Sequence, residues 1–211
     1  SGLNAAFVNV GHEKDGFLHY LDFGPNVNSY KKFTDKVISK KSNTASLKNF
    51  RKEKEIEKSG LITDVLKSGD QILVQVSKEA ISSKGPRLTA EISIAGRNMV
   101  LLPFSNKISL SNKIRSQEEK VRLKRLLKSI KPEGFGVVVR TVAKGKKVIE
   151  LDSNLKILYK KWQSVFKELK GAQAPHMILK ELNRSTAILR DILNSGFNSI
   201  HVNDKELYLE L

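Results

Sequence analysis

Residues Ser68 to Pro103, SGDQILVQVSKEAISSKGPRLTAEISIAGRNMVLLP, decide how the chain divides. Apolar residues recur at period two, first at Ile72, Val74 and Val76, then at Leu88, Ala90, Ile92 and Ile94. That spacing predicts two strands, each with one buried face. Between them lies a polar loop from Lys78 to Arg87, which carries Lys78, Lys84, Gly85 and Arg87 and so presents positive charge on a loop that strands hold in place. The second strand runs into Ala95 and Gly96, and a glycine there admits close approach by a backbone or a ligand. The residues N-terminal to this stretch read as a small β domain, and those C-terminal to it as a mixed domain. The stretch ends one basic surface and begins another.

The 211 residues include 38 Lys plus Arg against 22 Asp plus Glu, a formal charge of +16. Such an excess points to a polyanion, nucleic acid first and an acidic membrane surface second. The 39% hydrophobic content suffices for one large or two small cores. The chain has no cysteine, which excludes disulfides and thiolate metal sites. No apolar run approaches the ~20 residues of a membrane helix. No signal peptide opens the chain, which starts on the strand-like SGLNAAFVNVG, so the expectation is a piece cut from a longer protein.

Working outward, Leu3 to Val10 and Gly16 to Leu21 read as short strands joined by a polar turn. Phe7 and Phe17 lie on them. Short strands with glycine-bearing turns and aromatics beside basic loops suit an oligonucleotide-binding barrel, although the sequence alone leaves both rings free to be core instead. Gly24 to Gly60 is polar and lysine-rich and reads as a long, partly mobile insertion, with RKEKEIEK as a short exposed helix. Past Pro103 and a loop, Ser116 with Glu119 forms a capping box. The helix it opens carries Leu123, Leu126, Leu127 and Ile130 at helical spacing, and its opposite face carries Lys120, Arg122, Lys124, Arg125 and Lys128, a solvated face in the plainer reading and a grip on RNA in the other. Val137 to Val139 is a buried strand that delivers Arg140 and Thr141 at its end, followed by Lys144 to Lys147. A second helix, about Ser153 to Lys170, carries Leu155, Leu158, Tyr159, Trp162, Phe166 and Leu169 as one stripe and stops at Gly171. A third helix near Arg184 to Asn194 and a strand near Asn198 to Val202 close the chain.

No catalytic constellation emerges. The histidines His12, His19, His176 and His201 lack metal-ligand spacing, and no phosphate-cradling glycine loop is present. The notable pattern is anion binding: Arg140 offers a planar fork of donors matched to phosphate oxygens, Thr141 adds a hydroxyl, and Gly96 leaves room for a nucleotide. An Arg at a strand end paired with a carboxylate is the plainer alternative.

Three stretches, AAFVNVGHEKDGFL, VQVSKEAISSKGPRLTAEISIAGRNMVLLP and GFGVVVRTVAKGK, resemble the ribonuclease E/G family of bacterial endoribonucleases in order and spacing. The resemblance implies an α+β chain: an S1 domain of the OB-fold barrel type over 1–88, interrupted by the insertion at about 24–60, a mixed α+β 5′-sensor domain over 89–174, and the start of an RNase H-like subdomain over 175–211. It implies that Arg140 and Thr141 bind the 5′-monophosphate of single-stranded RNA, with Gly96 and Val100 beside the first nucleotides, and that Phe7, Phe17, Lys78 and Lys84 contact RNA. A further aromatic of the S1 strand stands here as Val10. The family's Mg²⁺, held by two aspartates in a later subdomain, implies no metal and no catalytic residue in this chain. The same likeness implies a cytoplasmic homo-oligomeric parent active in rRNA and tRNA processing and mRNA decay. A self-standing S1-type RNA-binding protein and a protein-docking module are the other readings.

Overall fold

A computed structural model describes residues 2–180, 184–193 and 196–210. Two units separate by contact, Ser1–Ile178 and Leu179–Leu211. The larger holds two open, mixed four-stranded sheets, so the chain is α+β.

The first sheet has the order β1-β2-β4-β3, built from β1 (Ala5–Val8), β2 (Gly16–His19), β3 (Gln75–Lys78) and β4 (Arg87–Thr89). β1 and β2 form the expected antiparallel hairpin. β2 pairs with β4 in parallel, and β3 pairs with β4 antiparallel across an irregularity between Val76 and Lys78. The expected closed barrel is not formed by these strands, since β1 and β3 remain edges. Beneath the sheet lie Leu18, Tyr20, Phe23, Val27, Ile62, Val65, Leu88 and Ala90. Ile62 and Val65 come from a short helix, α2 (Ile62–Val65).

The second sheet has the order β5-β6-β8-β7, from β5 (Ile94–Ala95), β6 (Met99–Pro103), β7 (Ile108–Leu110) and β8 (Phe135–Val139). The period-two reading holds for burial at Leu88, Ala90, Ile92 and Ile94, all inside. The ribbon breaks between β4 and β5, so one predicted strand serves both sheets. Ahead of β3, Ile72 and Val74 pack partly against the core beneath the first sheet, as the alternation requires, while Leu73 between them is buried in the other core and Val76, on the edge strand β3, is half exposed.

Helix α3 (Gln117–Ile130) starts at Ser116, whose hydroxyl accepts the Glu119 N–H at 3.2 Å. Helix α4 (Val148–Leu169) starts earlier than expected, because the Glu150 carboxylate accepts the Lys147 N–H at 2.9 Å and caps a first turn. Leu151, Leu155, Leu158, Trp162, Val165 and Leu169 form its buried stripe, with Tyr159 and Phe166 at the margins.

The insertion corrects the sequence reading most. Helix α1 (Val27–Ile38) buries Val27, Tyr30, Phe33 and Val37, and Ala45 and Leu47 follow it into the core. Phe33 stacks on Trp162 with centroids 5.2 Å apart, and the Trp162 indole N–H donates to the Ala45 carbonyl at 2.8 Å. Tyr30 donates toward the carbonyls of Ile92 and Pro103, at 3.2 and 3.1 Å. The segment is thus part of the main core. The RKEKEIEK run is not helical; it passes as irregular chain, with Lys32 paired to Glu53 and the Lys52 ammonium donating to the Phe104 carbonyl.

The smaller unit contains α5 (Arg184–Ile192) and α6 (Lys205–Glu210). Asn194 lies outside the described residues. The strand expected near Asn198 to Val202 is irregular chain with Ile200 exposed, since no described strand offers it a ladder.

Candidate nucleic-acid interface

Register places four of the basic and aromatic side chains on one rung of the first sheet. Phe7 faces Phe17, Phe17 faces Arg87, and Arg87 faces Lys78. Since Leu18 and Leu88 point into the core, period-two alternation turns Phe17 and Arg87 to the opposite face. Phe7 is 71% exposed and meets Phe17 edge to face at 5.9 Å. The choice between core and surface rings is thereby decided for Phe7: it is a surface ring with a supporting neighbour. His19 continues the row, its ring 6.4 Å from Phe17. The His19 Nδ1 accepts the Leu21 N–H at 3.1 Å. Val10, which stands where the resemblance implied an aromatic, packs partly against the first core.

The loop after β3 closes around this row. Lys14 reaches from the β1–β2 turn to donate to the Ser83 carbonyl at 2.7 Å, and the Phe17 N–H donates to the Pro86 carbonyl at 2.8 Å. Lys78 and Lys84 are exposed. Arg87 is held by Asp22 in a fork, its Nε and Nη2 each 3.0–3.2 Å from carboxylate oxygens. Arg87 belongs to the basic loop read from the sequence, whereas Lys14 and His19 join the site only through the fold, by the Ser83 contact and the Phe17 ring, and their sequence neighbours give no sign of it.

The four other candidates gather at one end of the second sheet. Val100 pairs with Val138 and Met99 with Val139, so Arg140 emerges beside the β5–β6 turn. There the Arg140 N–H donates to the Asn98 carbonyl, and the Gly96 N–H to that of Met99, both at 2.9 Å. A Cβ at Gly96 would lie 2.9 Å from Leu158 Cδ2 and 3.1 Å from Asn154 Oδ1, so on that side the glycine lets α4 pack against the turn. Val100 and Thr141 are half-buried.

Thr141 opens a tight turn, Thr141–Ala143, in which the Ala143 and Lys144 N–H groups return to the carbonyls of Arg140 and Thr141. Its hydroxyl lies 2.9 Å from that of Ser111. A second hold lies further along. The Glu119 carboxylate takes Arg122 Nε and Nη2 at 2.6 and 2.7 Å and the Gly145 N–H at 2.8 Å, while Arg122 Nη1 donates to the Lys146 carbonyl at 3.1 Å. The hydrogen bonds from Arg122, then that from Gly145, bring Glu119 down from its ordinary 4.5 to about 2. So Glu119 does not complete the expected capping box; it ties the turn after Thr141 to α3. Lys146 is paired with Glu150 at 2.7 Å, leaving Lys144 and Lys147 as the exposed charges of that run.

Among the described residues no three or more His, Asp or Glu side chains come together as a metal site would require, and no helix is long and apolar enough to cross a membrane.

The model of the ribonuclease E/G family matches residues 93–211. The chain is 34% identical over 202 residues to a ribonuclease E of Nostoc sp., covering 95% of this chain and 26% of that protein. It is 35% identical over 201 residues to a ribonuclease E/G-like protein of Pyropia yezoensis, covering 95% and 34%. It is 28% identical over 207 residues to the ribonuclease G of Escherichia coli, covering 98% and 38%. The chain thus spans between a quarter and two-fifths of the length of these relatives.

Proposed function

The chain belongs to the ribonuclease E/G family, and we propose that it is the part of a single-strand-specific bacterial endoribonuclease that grips RNA and senses its 5′-monophosphate. The first sheet is the S1, OB-fold-type portion over 1–88. Residues 89–174 form the 5′-sensor, and 175–211 begin an RNase H-like subdomain. Bases stack on Phe7 and Phe17 at about 1–3 kcal/mol each, while Lys78 and Lys84 meet phosphates. The Arg140 fork and the Thr141 hydroxyl take the terminal phosphate, with Gly96 and Val100 flanking the first nucleotides. RNA held at both points would lie across the parent enzyme with a downstream bond fixed for cleavage.

The chemistry of cutting belongs to the parent, a Mg²⁺-dependent hydrolase of the cytoplasm, homo-oligomeric and active in rRNA and tRNA processing and mRNA decay. The described residues of this chain do not bring together a carboxylate cluster that fits such an ion.

The observation that carries the reading is the exposure of Phe7, paired across the hairpin with Phe17 on the same rung as Arg87 and Lys78. The test is a titration of the chain with one oligonucleotide bearing either a 5′-phosphate or a 5′-hydroxyl. Phe7→Ala is expected to weaken both about 5- to 100-fold. Arg140→Ala is expected to remove the preference for the phosphate. An unchanged ratio in Arg140→Ala refutes the sensor, and tight binding of both ligands alike by the wild type favours a self-standing S1-type protein.

A further inference from the structure

Thr141 has one proton to give, and its partner decides where it goes. Ser111 follows β7 and Thr141 follows β8, neighbouring strands that run in parallel, so the two hydroxyls end side by side, 2.9 Å apart. Distance alone allows either to be the donor. The surroundings of Ser111 break the symmetry. Its main chain is fixed by its own N–H donating to the Val139 carbonyl at 2.9 Å, and its Oγ accepts the Lys113 N–H at 3.3 Å. A hydroxyl that accepts a hydrogen bond is polarised into a better donor. The opposite arrangement would make Ser111 Oγ accept twice and turn a Thr141 lone pair toward any arriving anion.

We propose that Ser111 is a positioning residue for the anion contact of Thr141: the chain Lys113 N–H, Ser111 O–H, Thr141 O–H runs in one direction and ends on an oxygen of a terminal phosphate monoester. Ser111 touches no ligand. It fixes the rotor of Thr141 so that the threonine arrives as a donor. This inference rests on the reading of Arg140 and Thr141 as the phosphate site, and the experiment separates the two.

The chain is titrated with 5′-phosphate and 5′-hydroxyl forms of one oligonucleotide, and the ratio of affinities is compared among wild type, Ser111→Ala, Ser111→Thr, Thr141→Ala and the double alanine variant. Ser111→Ala lowers the ratio about three- to tenfold with binding of the 5′-hydroxyl form unchanged, which also reports that the variant is folded. Ser111→Thr, which keeps a hydroxyl, restores the ratio. In the Thr141→Ala background the Ser111 change has no further effect. A wild-type ratio in Ser111→Ala, or an effect that persists without the Thr141 hydroxyl, overturns the inference while leaving the phosphate site standing if Arg140→Ala still abolishes the preference. If wild type shows no preference, the reading and the inference fall together. If Ser111→Ala weakens both ligands alike, the serine has a structural role only and the inference is overturned.

Discussion

Glu119 carries three charge-assisted or backbone hydrogen bonds on one carboxylate, and they connect the start of α3 to the turn beyond Arg140 and Thr141. Its ionisation lies below the ordinary range, which sets the sign of its pH dependence. The stability it contributes is complete above the ordinary value of 4.5 and is lost as pH falls from there toward about 2. Glu53, Asp70 and Glu150 are lowered too, by their partners Lys32, Lys31 and Lys146, so the acid limb of the wild type is shared. Comparison with Glu119→Gln isolates one part. Urea midpoints at neutral pH are expected to place the variant about 1–3 kcal/mol below wild type, with the gap closing as pH approaches 2. A gap of constant size across that range would mean that charge on Glu119 is not what holds the turn. The Ser116 cap and the i,i+3 spacing of Glu119 and Arg122 lie in the sequence, but the Gly145 contact does not: only a fold that brings the later turn against α3 draws the carboxylate there and away from the capping box.

Elements with their own periodicity could be read ahead of the structure. The stripe of α4 repeats at helical spacing, and the long strand-like ribbon buries Leu88, Ala90, Ile92 and Ile94 as alternation requires. Helix α1 has that periodicity too, with Val27, Tyr30, Phe33 and Val37 at helical spacing, but Lys31, Lys32 and Lys36 lie between them and dominate the local composition, from which the helix could not be read. Nor could β7, three residues long, which exists only because β8 offers it a parallel ladder. The rung of Phe7, Phe17, Arg87 and Lys78 escaped for the same reason: it depends on the parallel pairing of β2 with β4, which no local pattern encodes. The insertion's place in the core can be tested directly. Phe33 is 2% exposed and touches the rings of Phe104 and Trp162. Phe33→Ala is expected to cost about 3–5 kcal/mol, seen as a lower urea midpoint with an unchanged slope. A loss well below 1 kcal/mol would mean that the segment is a dispensable surface loop.

At the scale of the molecule the governing quantity is charge. A formal +16 attracts any RNA, whatever its sequence or end. Lys84→Ala is therefore expected to weaken 5′-phosphate and 5′-hydroxyl ligands alike and to reduce the salt slope by about one unit. A selective loss of one ligand would move Lys84 out of the general field and into the end-binding site. Attraction is not cleavage, however. Cutting by a metal-activated water needs carboxylates that converge on an ion, and here many of them are spent on cations: Asp22 on Arg87, Asp70 on Lys31, Glu53 on Lys32, Glu119 on Arg122, Glu150 on Lys146 and Asp152 on Lys156. The purified 211-residue chain with Mg²⁺ is accordingly expected to leave a 5′-labelled single-stranded oligonucleotide intact while binding it, as monitored on a denaturing gel beside a binding titration. Cleavage that co-purifies with the chain through a second column, and that disappears when the paired carboxylates are replaced by their amides, would show that these ion pairs open on RNA and that the chain carries a site of its own.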